Sequence, residues 1–249
     1  MKYLLSLLTI VSFVACNTQS AEYSEKPIRH DMWDTLVNKY VSPTGNVNYP
    51  GFQQDSALFN RYLNLLSEHR PDPEQWAKEE QIAYWSNAYN AFTIKLIIDH
   101  YPLESIKDIT KVNIPLVSSP WTINFFKIGG EDFDLDKIEH KILRKDFNEP
   151  RIHFAVNCAS VSCPKLRNEA YSAEKLDEQL DSQAKYFLNE SGKNELSEDE
   201  LKLSKIFKWF TGDFTKNQTL IEFLNRYSEV EISEDAKIDH LEYSWELNE

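Results

Sequence analysis

The chain has 249 residues, with 27 Lys and Arg against 40 Asp and Glu and a formal net charge of −13. That acidic excess opposes general electrostatic binding to nucleic acid or to anionic lipid headgroups, so no nucleic-acid partner is expected. The chain is rich in aromatics (6 Trp, 12 Tyr, 14 Phe), poor in Gly (6), and has no long Ser/Gly linker, repeat or low-complexity run, which fits one large domain with a substantial core.

The N-terminus reads as an export signal. Lys2 precedes an apolar run from Leu4 to Val14, too short to span a membrane but suited to a signal peptide. Small Ala15 then meets Cys16, the arrangement of a bacterial lipoprotein cleavage site at which the thiol is acylated. The expectation is a signal over 1–15, lipidation at Cys16, a polar tether over 16–27 and a globular domain over 28–249. An ordinary signal peptide cut nearby is the plainer alternative. The implied location is the bacterial cell envelope, through a lipid anchor in the outer membrane, on the periplasmic or the surface side. Loss of Lys2 leaves 26 basic against 40 acidic residues, a net of −14.

Trp33, Leu36, Val37 and Tyr40 predict a first helix within 28–40, and Leu58, Tyr62, Leu65 and Leu66 a second, with Val47 to Tyr49 extended between them. A long third helix is predicted from about Pro73 to His100, where Ile82, Trp85, Tyr89, Phe92 and Leu96 form one apolar stripe. Asn87 and Asn90 sit mid-helix, where an asparagine amide competes for backbone partners. They either fasten a neighbouring loop or orient a catalytic imidazole or an oxyanion. After a Pro-containing loop, Trp121 to Ile128, the Gly129-Gly130 turn and Phe133 to Leu135 predict a hairpin. Asp134 or Asp136 then caps a helix through about Arg144.

Glu139 presents a conflict in that helix. At about 100° per residue it falls inside the apolar sector of Leu135, Ile138, Ile142 and Leu143, with His140 near the edge. An inward carboxylate costs several kcal/mol unless partnered. An ion pair, for instance with Arg151, and a functional role are both open.

Arg151 to Pro164 is the centre of the chain. Alternation at Ile152, Phe154 and Val156 predicts a buried strand that carries His153 on its other face and runs into a polar turn with Asn157, Cys158 and Cys163. Beyond it, Ser172 is expected to cap a helix with Leu176, Leu180, Ala184 and Phe187 on its core face. Leu201 to Phe214 reads as a strand plus an aromatic turn, Leu220 to Tyr227 as a helix and Ile238 to Leu247 as a strand. Helices and strands mixed without a βαβ rhythm argue for an α+β fold, a mixed and mostly antiparallel sheet against several helices.

Several of these stretches together resemble the domain-of-unknown-function 547 family. They are Trp85-Ser86-Asn87-Ala88-Tyr89-Asn90-Ala91-Phe92, Ile138-Glu139-His140-Lys141-Ile142-Leu143-Arg144, His153-Phe154-Ala155 through Cys158-Ala159-Ser160, Ser162-Cys163-Pro164 and the Tyr243 to Asn248 ending. The resemblance covers about residues 28–249. It implies domain boundaries and no particular reaction.

Three readings of the two thiols remain. Cys158, or less favourably Cys163, is a nucleophile with His153 or His140 as base and Glu139, Asn87 or Asn90 orienting it. Alternatively Cys158 and Cys163 form a disulfide, as suits an exported protein. A zinc site of His140, His153, Cys158 and Cys163 lacks the usual paired spacing, so no metal is expected. Other enzyme classes find less support, since no nucleophile elbow, phosphate loop or dinucleotide fingerprint is present, and no cofactor is expected. The leading expectation is a cell-envelope thiol hydrolase or transferase acting on an amide or acyl bond of a small-molecule or peptide ligand. The competing one is a non-catalytic ligand- or protein-binding lipoprotein with a structural disulfide.

Overall fold

A computed structural model describes residues 22–109 and 119–249. The export signal, Cys16 and the loop before Ser119 lie outside the described residues. The first helix, α1 (Asp31–Tyr40), buries Trp33, Leu36, Val37 and Tyr40. Asn48 accepts a hydrogen bond from the Gly51 amide at 2.9 Å and starts α2 (Tyr49–Gln54). That cap, with Pro50 in the first turn, makes Tyr49 helical rather than extended. Helix α3 (Ser56–Glu68) packs Tyr62 on Trp33 with ring centroids 5.6 Å apart.

Helix α4 (Lys78–His100) is the central element. Every residue from Ile82 to Ile94 is buried, so its amphipathic stripe understates how completely it is enclosed. The helix begins later than Pro73 because Asp72 first closes a turn, and Glu80 then accepts from the Ala77 amide. Being surrounded, Asn87 and Asn90 need partners for their amides.

The fold is α+β. Among the described residues β-pairing falls into three small sheets rather than a broad one. Strand β1 (Tyr23–Ser24) pairs parallel with β2 (Arg70–Pro71). The predicted hairpin forms as β3 (Phe126–Ile128) and β4 (Glu131–Phe133), joined by Gly129 and Gly130 at φ 58° and 78°, a turn that glycine adopts without steric cost. A three-stranded sheet holds β5 (Glu195–Leu196), β6 (Glu200–Leu203) and β7 (Lys237–His240). Strand β7 stops at His240 because β6 ends at Leu203. The alternating residues from Leu241 onward then run across another surface, with Leu247 bridging Ser160.

The predicted central strand is not a strand. Pro150–Phe154 forms a 3-10 turn, with Pro150 in its first position and Glu149 accepting from the Arg151 amide. Ile152 through Asn157 are all buried, so apolar alternation carried no information about backbone shape there. Helix α5 follows the hairpin as a π-helical stretch (Lys137–Leu143) continued by a short α-helical turn (Arg144–Asp146). Asp134, not Asp136, accepts from the Lys137 amide at its start. Helix α6 (Leu176–Asn189) follows a 3-10 turn, and Ser172 makes no side-chain cap there.

Two hydrophobic clusters meet along α6. Leu176 and Leu180 belong to the larger one, built on α1–α5. Ala184, Phe187 and Leu188 belong to the smaller, with Phe154, Phe207, Phe214 and Phe223. The smaller cluster gathers α7 (Lys205–Trp209), α8 (Thr211–Phe214) and α9 (Leu220–Asn225).

Candidate functional site

A cavity of about 220 Å³ takes residues from both clusters. Tyr89 and Trp121 line it from one side, Ile206, Trp209 and Phe210 from the other, and Tyr243 and Trp245 from the closing segment. Glu139, His140, His153, Cys158 and Cys163 all face it. The chain therefore brings together five of the seven residues singled out within its domain, from three separate stretches.

Asn87 and Asn90 are spent elsewhere. The Asn87 amide exchanges two hydrogen bonds with the Tyr171 backbone, donating at 2.8 Å and accepting at 3.0 Å. Asn90 donates to the Ala155 carbonyl and accepts from the Asn157 amide, at 2.9 and 2.8 Å. Both fasten neighbouring segments to α4, and Asn90 thereby fixes the chain just ahead of Cys158.

The cysteine turn is held from several sides. Asn157 accepts from the Ala159 amide at 2.8 Å and donates to the Pro164 carbonyl at 2.8 Å. Ala159 has φ +60°, a left-handed conformation costing an alanine about 1 kcal/mol, which these bonds offset. The Cys163 carbonyl accepts from the Lys193 ammonium. Cys158 and Cys163 are joined as a disulfide, with their Cα atoms 6.2 Å apart.

The hydrogen-bonding groups at the sulfurs are hydroxyls and one amide. Tyr243 places its oxygen 3.4 Å from Cys158 Sγ and 3.2 Å from Cys163 Sγ, and the Cys158 amide points at Cys163 Sγ from 3.0 Å. The two imidazoles are turned to other groups. His140 Nδ1 accepts from Arg144 at 2.8 Å, and its Nε2 lies 3.5 Å from Asp136. His153 is buried, stacked on Phe210 with centroids 4.0 Å apart, and its Nε2 sits 2.7 Å from Asp213.

Asp213 receives both His153 and Arg144. Burial works to raise its pKa, but the hydrogen bonds from His153 and Arg144 prevail and hold the carboxyl well below the usual range. His153 is shifted down, chiefly by burial, against the opposing pull of Asp213 and Glu139. An ionised Asp213 can only accept, so the neutral imidazole carries its proton on Nε2. Its Nδ1 is then a bare lone pair, buried without a partner.

Arg151 does not partner Glu139. It is held by Glu149, Asp177 and Asp181 at 2.5–2.8 Å. Glu139 is buried and instead lies by Tyr89, whose hydroxyl pKa is driven well above its ordinary value by burial and then by the Glu139 charge. Among the described residues, no group of three or more His, Cys, Asp and Glu side chains is arranged to hold a metal ion. Sequence reasoning missed Asp213, Tyr243 and Trp209 as parts of the site. Asp213 lies 60 residues from His153, and no local pattern connects them.

The turn fixed by α4, the disulfide and the helix carrying Glu139 fall within one recognisable segment. Residues 73–188 match the family described as protein of unknown function, DUF547. That DUF547 domain supplies Tyr89, Glu139, His140, His153 and both cysteines, whereas Trp209, Phe210, Asp213, Tyr243 and Trp245 lie beyond the match. No curated protein and no solved structure matches the chain.

Proposed function

We propose that this chain is an exported, lipid-anchored binding protein of the bacterial cell envelope, whose aromatic cleft holds a small molecule or a peptide side chain. The observation that carries this reading is the wall of the cavity: Trp121, Trp209, Tyr243 and Trp245 line it, and both cysteine sulfurs beside them are already bonded. Concave, aromatic-rich cavities with a few converging polar groups are the usual form of small-ligand sites. A disulfide in that wall fixes its shape and leaves no thiolate for attack. The test is quenching of tryptophan fluorescence by a panel of small cations, anions, neutral aromatics and dipeptides. Saturable quenching by at least one, lost in Trp209→Ala/Trp245→Ala, supports the reading; quenching indifferent to that double variant, or none, contradicts it. Anchoring is tested separately by the mass and membrane fractionation of the mature protein against Cys16→Ala.

A second reading rests on the His153–Asp213 pair. A neutral imidazole oriented by a carboxylate, with its other nitrogen bare, is the form of a general base. If the disulfide is opened, Cys158 becomes a candidate nucleophile in the same cavity, and the chain a thiol hydrolase or transferase on an acyl or amide bond. Glu139 and His140 would then face the substrate. Reduced protein should cleave an activated thioester or ester, and Cys158→Ala and His153→Ala should each abolish that; equal rates before and after reduction exclude it.

A further inference from the structure

Resting on the binding reading, we infer that the ligand of this cleft is a small organic ammonium ion. Glu139 and Asp136 line the cavity, and Glu139 is buried. Among the described residues no ion pair includes Glu139: its neighbour Tyr89 is a neutral hydroxyl, and both His153 and Arg144 are turned to Asp213. A buried carboxylate with no cation beside it favours a ligand that brings one.

The aromatic wall has the same preference. Trp209 and Tyr243 have centroids 4.7 Å apart, Tyr243 and Trp245 4.7 Å, and Trp121 and Trp245 5.4 Å, so the four rings are contiguous, each tilted against the next. The faces of such rings carry negative quadrupole density and attract ammonium groups. The chain already uses two rings of the cavity so: the Lys107 ammonium lies 3.7 Å from the Trp245 centroid and the Arg144 guanidinium 4.8 Å from that of Phe210. Trp209 is 45% exposed and leaves ring surface for a ligand. A cavity of about 220 Å³ admits a headgroup or side-chain terminus rather than a whole polymer.

The experiment is a tryptophan fluorescence titration of the oxidised protein with choline, with Nα-acetyl-lysine amide and with 3,3-dimethylbutan-1-ol, the uncharged isostere of choline. The first two distinguish a free quaternary ammonium from a peptide ammonium. At least one should bind saturably, choline at least about tenfold more tightly than its isostere if choline is the one, and Glu139→Gln should weaken binding about tenfold. Asp136→Asn, at a half-exposed position, is the second variant if Glu139→Gln fails to fold; it too should weaken binding. Equal binding of choline and the isostere, or binding unchanged in the carboxylate variants, overturns the cation assignment. So does saturation by neutral or anionic members of the wider panel alone, which leaves the binding cleft itself standing. Absence of any saturable ligand in that panel removes both.

Discussion

His153 donates its Nε2–H to Asp213 in a hydrogen bond of 2.7 Å, although 60 residues separate them in the chain. The contact ties the turn beside the disulfide to helix α8 in the smaller cluster, so Asp213 belongs to both the site and the fold. Asp213→Ala removes the acceptor of His153 and the ion-pair partner of Arg144. Because the Asp213 side chain is 27% exposed and water can replace part of what is lost, the expected cost is about 2 kcal/mol. Urea unfolding monitored by near-UV circular dichroism measures it; a change below about 0.5 kcal/mol would show that the pair does not tie the two parts together.

Acid should loosen this protein early. Burial lowers the pKa of His30 to about 4 and also lowers that of His153. Both are neutral in the folded chain, while the unfolded chain takes up protons near pH 6.5. The unfolded state therefore binds more protons below that pH, and stability falls as pH drops from about 6.5 towards the folded values. His30 alone accounts for at most about 3 kcal/mol by pH 4. Asp213 acts in the same direction at lower pH: its contribution is complete above the unfolded pKa near 4 and fades below it. Urea midpoints from pH 8 to 4.5 should decline from about pH 6.5, with a shallower slope in His30→Asn. A flat profile down to pH 5 would contradict the burial of both rings.

The Cys158–Cys163 bond closes a small loop, so its effect on the unfolded chain is modest. Cys158→Ser/Cys163→Ser should lose about 2 kcal/mol and remain folded. Thiol titration of unreduced mature protein should find neither sulfur free. Two reactive thiols before reduction would return Cys158 to the role of a resting nucleophile.

Asn90→Ala leaves the Ala155 carbonyl and the Asn157 amide buried without their partner, at a cost of about 2–4 kcal/mol. Asn87→Ala does the same to both backbone groups of Tyr171. Thermal denaturation should place both variants well below the parent, with ligand affinity per folded molecule altered more by Asn90→Ala, the one that fixes the cysteine turn. Equal loss of affinity in both would point to a direct role for Asn87.

Much of the helical frame was legible, because Trp33 to Tyr40 and Leu176 to Leu188 each carry a single apolar face, the first against one cluster and the second along both. The inward position of Glu139 was also readable from its helical angle. Legibility failed where burial was complete. Between Ile152 and Asn157 there is no exposed side to mark a period, so a 3-10 turn imitated a strand. The closing segment failed for another reason: Tyr243 and Trp245 alternate like a strand, but the neighbouring strand ends first, and their side chains form a cleft wall instead. Asp213 could not be found at all, since its importance comes from His153 and Arg144, which only folding brings near.

The six tryptophans offer the most direct test of the binding cleft, because they divide cleanly. Trp121, Trp209 and Trp245 line the cavity, whereas Trp33, Trp76 and Trp85 are buried in the larger core. Each indole N–H gives its own resonance in a proton–nitrogen correlation spectrum of labelled, oxidised protein. Titration with a small organic ammonium ion should shift the first three saturably and leave the other three in place. Shifts confined to Trp33, Trp76 and Trp85, or no saturable shift with any ligand of the panel, would contradict a binding site in this cleft.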